Sequence, residues 1–213
     1  MRRLFFASLL TFLTLFALRP VTAEQLMPGD NTDRAPKYAV FRGMLFDAVA
    51  RKDASFIRAR SEGARVTFGM PTTLDAQFKL DDPEDPFWRI IARMLTLGGT
   101  YHDGTQADPT GYVEYPYVTA RFPEKTDPYT HVAVVGREVN VREKPDPASK
   151  VVATVSYEIL QLLDHGEEWR QVKVSDKVTG YVNHEYLYGP LDYRMRLRNV
   201  NGRWMIELFL AGD

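Results

Sequence analysis

The stretch that decides the fold opens with Val139-Asn140-Val141-Arg142 and closes with Gly180-Tyr181-Val182-Asn183-His184-Glu185-Tyr186-Leu187. Between those ends lie Val151-Val152-Ala153-Thr154-Val155, Ile159-Leu160-Gln161-Leu162-Leu163 and Trp169-Arg170-Gln171-Val172-Lys173-Val174. Each run is short and rich in β-formers. Turn chemistry separates them: Pro145 and Pro147 in the first loop, Gly166-Glu167-Glu168 before Trp169, and Asp176-Lys177 before the Gly-Tyr-Val segment. That rhythm predicts a small β-barrel over residues 131–190.

On the C-terminal side, residues 191–213 predict a β-hairpin. Asn201-Gly202 is the preferred two-residue type I′ turn. Counting outward from Val200 opposite Arg203, Leu197 faces Ile206, Met195 faces Leu208 and Tyr193 faces Leu210, while Arg196 faces Glu207. One face is then wholly apolar, and the other carries Arg194, Arg196, Arg198 and Glu207. A two-stranded hairpin is not stable alone. Its apolar face must dock elsewhere, and docking that ties the two halves of the chain into one body is expected. The arginine row reads either as a solvated strand face or as a contact for acidic wall groups.

On the N-terminal side, residues 36–127 predict a mostly helical region, so the fold class is α+β. Phe41, Leu45, Ala48 and Val49 share one helical face. Asp53 can cap a second helix carrying Phe56 and Ile57. Arg65-Val66-Thr67-Phe68 has strand composition and ends at Gly69. Asp82-Pro83-Glu84-Asp85-Pro86 supplies a cap, a first-turn proline and negative charge, before an apolar stripe of Trp88, Ile91, Ala92 and Leu95 that Gly98-Gly99 stops. Residues 111–123 are aromatic and β-prone but interrupted by Pro116, which predicts an irregular or edge strand. Residues 24–35, with Pro28-Gly29-Asp30-Asn31, read as a flexible lead-in, and residues 124–129 as a linker.

Residues 1–23 read as an export signal. Arg2 and Arg3 precede an uncharged apolar run from Leu4 to Leu18, and Val21-Thr22-Ala23 offers small residues for cleavage. The run is 15 residues long, whereas a membrane-spanning helix needs roughly 20. A cleaved signal is therefore expected, with no membrane span afterwards and a periplasmic or secreted product. Cleavage leaves 24 Lys and Arg against 28 Asp and Glu, a net charge of −4. That balance argues against nucleic acid as a partner, since phosphate binding needs clustered positive charge. The chain has no Cys, which excludes thiol catalysis and thiolate metal sites.

The segments quoted above together resemble a bacterial SH3-type module. The pattern departs from such modules at Arg142-Glu143-Lys144, where small residues are more usual after the arginine, and at Ser156-Tyr157-Glu158, which lacks the usual glycine. The resemblance implies a non-enzymatic binding protein whose module takes a cell-wall peptide, a glycan or a periplasmic protein partner. Its alternative is a cell-wall hydrolase that uses the barrel for targeting. The ligand-binding candidates are Trp169, Tyr181 and Tyr186 as stacking surfaces and Arg142 as a carboxylate partner. Trp169 and Tyr181 have the competing use of filling the barrel core, and Arg142 that of clasping an acid within it.

Candidate chemistry elsewhere is sparse. His184-Glu185 begins like a zinc-protease helix, but Tyr188 stands where the second histidine is needed. No serine sits in a Gly-x-Ser-x-Gly elbow. The acidic run at residues 81–85 lacks the glycine and spacing of a calcium loop. His102 with Asp103 or Asp108 is the one potential acid–base pair, and the same residues make ordinary turn formers. No cofactor and no metal are expected.

Overall fold

The computed structural model describes residues 24–67, 72–106 and 109–212. The expected signal segment, Asp108 and the end of the 65–68 strand lie outside them. Among the described residues, five helices and two antiparallel sheets make a mixed α+β fold. No helix among the described residues is long and apolar enough to cross a membrane.

The helices follow from the patterns in the sequence. In α1 (Tyr38–Ala50), Phe41, Leu45, Ala48 and Val49 are all buried. The Asp53 carboxylate accepts from the Phe56 N–H at 2.9 Å and starts α2 (Ala54–Arg60). A single turn, α3 (Leu74–Gln77), is capped by Thr73. Asp85 caps α4 (Pro86–Leu97), accepting from the Phe87 N–H at 2.9 Å, and Pro86 occupies the first turn, where its missing N–H costs nothing. Residues 117–121 differ from expectation. After the strand before it, the chain turns at Pro116 into α5 (Tyr117–Arg121), which buries Tyr117 and Val118.

The first sheet runs β1 (Thr100–His102), β2 (Tyr112–Tyr115), β10 (Arg194–Val200), β11 (Arg203–Leu210). Thus β2 is an inner strand rather than an edge. Its pairing ends at Tyr115, one residue before Pro116, so the missing proline N–H is never asked of the ladder. The C-terminal hairpin does dock, and it docks on the N-terminal region by completing this sheet. Met195, Leu197, Trp204, Ile206 and Phe209 enter one core with Phe41, Leu45 and Ile91. Asn201 and Gly202 have φ of 52° and 83°, as a type I′ turn requires.

The hairpin register is correct near the turn, with Val200 opposite Arg203 and Leu197 opposite Ile206. A bulge between Arg196 and Leu197 then shifts it, so Arg196 faces Leu208 and Met195 faces Phe209. The expected pairing of Met195 with Leu208 is therefore wrong. One physical reason is visible beside it. Arg65 bridges Leu208, donating its N–H to the Glu207 carbonyl and accepting from the Phe209 N–H, both at 2.9 Å. The extra residue lets this outside segment dock and turns Phe209, rather than Leu208, into the core.

The second sheet runs β5 (Val151–Val155), β4 (Val139–Arg142), β8 (Val178–Asn183), β7 (Trp169–Ser175), β6 (Ile159–Leu162), β3 (His131–Val134), β9 (Leu187–Tyr188). Its own core is almost all valine and leucine, including Val132, Val141, Leu160, Val172 and Val182. Gly180 allows β8 to pass close to β4. A Cβ there would lie 2.7 Å from the Arg142 carbonyl oxygen and 2.7 Å from Val141 Cγ1.

This second sheet is an insertion. The chain leaves the first sheet after β2, builds the second, and returns as β10. Residues 24–35, read as a flexible lead-in, tie the two parts together instead. The Leu26 N–H donates to the Tyr157 carbonyl at 2.7 Å, and the Ile159 N–H donates to the Glu24 carbonyl at 2.8 Å. Leu26 is itself buried, and its carbonyl accepts from the Tyr117 hydroxyl. Composition alone hid this, because polar neighbours surround the single anchoring leucine.

Candidate functional site

The second sheet carries an open groove of about 380 Å³ between the start of β4, the following Pro-rich loop and the 3₁₀ turn His184–Tyr186. Alternation on β7 builds one wall. Val172 points into the core, so Trp169, an odd number of residues away, points outward. Trp169 lines the groove and stays half-buried, and the reading of Trp169 as core filler is corrected by that register. The opposite rim is Tyr186, which is 50 % exposed. Asn183 accepts from the Glu185 N–H at 3.0 Å and so starts the turn that presents both Glu185 and Tyr186.

Arg142 lies on the floor. Its Nη1 donates to the Ser149 carbonyl at 2.6 Å and thereby fixes the Pro-rich loop. It clasps a backbone carbonyl, and no carboxylate among the described residues forms an ion pair with it. Arg137, Glu138 and Glu185 add charge of both signs to the rim. The groove therefore offers two aromatic faces, two guanidiniums and two carboxylates around a polar cleft. That arrangement suits an extended ligand with sugar or aliphatic surface and charged groups.

Of the four candidates, the structure brings together Arg142, Trp169 and Tyr186. Tyr181 stands apart. It pairs with Arg142 across β4–β8 and with Gln171 across β7–β8, and it does not line the groove. It is half-buried and outside the valine core, so it does not fill that core either. The sequence reading missed Arg137, Glu138, Asn183 and Glu185. The signal available was adjacency: Arg137 and Glu138 immediately precede Val139, Asn183 caps the 3₁₀ turn and Glu185 lies within it.

Of the two acids considered as a partner for His102, Asp103 does not pair with it, and Asp108 lies outside the described residues. Asp103 pairs with Arg34 at 2.8 Å on the surface. His102 stacks on Tyr112 with ring centroids 4.5 Å apart, and its Nε2 lies 3.4 Å from Glu114. Glu114 is the buried acid of the first sheet, with Arg196 Nη2 3.8 Å away and the Arg196 guanidinium over the Tyr112 ring at 4.2 Å. The arginine row is thus not freely solvated. Arg196 covers Tyr112, and Arg198 pairs with Glu207 at 2.8 Å. His184 sits on the 3₁₀ turn with Nδ1 3.2 Å from the Glu168 carbonyl.

A comparison with protein-family models bears directly on the groove. The family described as bacterial SH3 domain matches residues 137–188. The chain carries a bacterial SH3 domain. The match begins at Arg137 and ends at Tyr188, and so contains every residue that lines the groove. No curated protein and no solved structure matches the chain. The SH3 domain is a binding module, and it covers β4 to β9 of the second sheet. The strand β3 lies outside the match, yet it sits between β6 and β9 in the same sheet, and Gln25, also outside, bridges Glu158.

Proposed function

We propose that this is an exported, non-enzymatic binding protein whose SH3 groove takes a cell-wall peptide or glycan. The observation that carries the reading is the juxtaposition of Trp169, Tyr186 and Arg142 around one cleft inside the matched domain. The two rings supply flat apolar surface for an aliphatic or sugar face. Arg142 and Arg137 attract the ligand's carboxylates, while Glu138 and Glu185 attract its amines. Mixed charge of this kind suits a peptide that carries both signs better than a purely acidic polymer. The leader pattern in the sequence supports export, and an exported chain would carry the groove beside the wall.

The test is co-sedimentation of purified protein with purified peptidoglycan. Retention of the parent chain, and its loss in a Trp169→Ala, Tyr186→Ala double variant that still unfolds cooperatively, is the expected result. No retention of the parent sinks the wall assignment. Release of soluble muropeptides by the parent chain would instead favour the hydrolase reading. Recovery of the mature product in the cytosol would remove export.

A further inference from the structure

A second pocket lies at the seam between the two parts of the molecule, on the other face of β7 from the groove. It encloses about 270 Å³, at the small end for a ligand site. α4 contributes Ile90 and Arg93, β7 contributes Arg170, β9 contributes Tyr188, and the connection into β10 contributes Asp192 and Tyr193. The SH3 groove shares none of these residues.

Arg170 is the unexplained member. Trp169 faces out to the groove, and alternation turns Arg170 inward, opposite Val182. Its Nε is buried and has no hydrogen-bond partner. The guanidinium makes no ion pair, hydrogen bond or ring contact among the described residues. Asp192 is the acid at hand, yet it accepts from the Gly189 N–H at 2.7 Å and leaves Arg170 unpaired. A buried Nε–H without an acceptor is unfavourable, and the half-buried guanidinium that carries it is left to take an anion. Arg93 adds a second cation beside it, lying over the Tyr188 ring at 5.2 Å. Ile90, Leu191, Ala211 and the two tyrosine rings make the rest of the lining largely apolar.

We propose that this seam pocket binds a small carboxylate with an apolar body. The carboxylate takes the fork of Arg170, whose parallel N–H donors fit two oxygens. The apolar body lies between Ile90, Tyr188 and Tyr193. Because α4 belongs to the helical part and β7 to the SH3 domain, the ligand would clamp one to the other.

The experiment is an NMR titration of the full chain with N-acetyl-leucine, set against N-acetyl-leucinamide, at concentrations up to roughly ten millimolar. The expected result is a saturable shift at the amides of Arg170, Tyr193 and Ala211 with the acid, and little with the amide. Arg170→Gln should weaken the acid at least tenfold while thermal unfolding stays cooperative. Asp192→Asn, which removes a negative charge from the pocket wall and keeps an acceptor for the Gly189 N–H, should tighten it severalfold and gives an independent reading if Arg170→Gln fails to fold. Three outcomes overturn the proposal: no saturable shift with the acid, equal binding of acid and amide, or no tightening in Asp192→Asn together with undiminished binding in Arg170→Gln.

Discussion

Arg93 of α4 reaches Leu187 across the junction, its Nη2 lying 2.7 Å from the Leu187 carbonyl oxygen. The same nitrogen is 3.2 Å from the carbonyls of His184 and Glu185, the two residues that lead into the groove rim. A single cation thus satisfies the end of the 3₁₀ turn and joins the SH3 domain to the helical part. Charge-assisted hydrogen bonds of this kind contribute about 2 kcal/mol when partly buried. Arg93→Ala should lower stability by about that amount and split one thermal transition into two. Calorimetry of the full chain reads this, and a single unshifted transition would show that the joint lies elsewhere.

Leu160 and Trp169 separate packing from binding. Leu160 is 2 % exposed in the valine core, whereas Trp169 is half-buried on the groove wall. Leu160→Ala should cost about 3 kcal/mol. Trp169→Ala should cost about 1 kcal/mol and act chiefly on ligand retention. Denaturant midpoints compare the two, and equal losses would return Trp169 to a core role.

The bulge in the hairpin can be read by paired truncation. Phe209 is fully buried and Leu208 only partly so. Phe209→Ala is expected to cost about 4 kcal/mol. Leu208→Ala should lie near 1 kcal/mol. The reverse order would restore the uninterrupted register.

Close approach at Gly180 gives a fourth outcome. An added methyl group meets the Arg142 carbonyl and Val141 at 2.7 Å, both on β4. Gly180→Ala should destabilise by about 2 kcal/mol through displaced strands. Chemical unfolding measures it, and a neutral effect would mean that β4 and β8 have room to separate.

Alkaline pH should unfold the chain through its tyrosines. Burial pushes the Tyr117 phenol up to about 12 and raises Tyr38, Tyr115 and Tyr188 as well. The folded state therefore holds protons that the unfolded state has released. Stability from this source is fully present below the ordinary phenol value near 10 and is lost as pH rises toward the folded values. The last step of phenolate absorbance, that of the buried tyrosines, should coincide with loss of ellipticity, and Tyr117→Phe should reduce the steepness. Ionisation of every phenol before ellipticity is lost would contradict it.

Much of this was legible in the sequence because local chemistry decided it. The caps at Asp53 and Asp85, the face of α1, the Asn201-Gly202 turn and the alternation of the SH3 strands are all short-range signals, and the structure places each as they indicate. The departures are long-range. Leu26 looked like part of a polar lead because its partners, Tyr157 and Tyr117, are about a hundred residues away. The bulge at Arg196 depends on Arg65, which docks from outside the hairpin. The groove was legible through its aromatics and Arg142. Its charged rim was not, because Arg137 and Glu185 meet only once β4 and the 3₁₀ turn are folded together.

The SH3 domain interrupts a sheet whose two outer pairs of strands lie on either side of it in the chain. On the ribosome, β1 and β2 emerge early but wait without neighbours until the hairpin follows. The inserted domain has all its own strands by Tyr188, so it can close first. The part begun first is finished last, and any break in translation between residues 190 and 210 releases a chain with a complete binding module and an unfinished base.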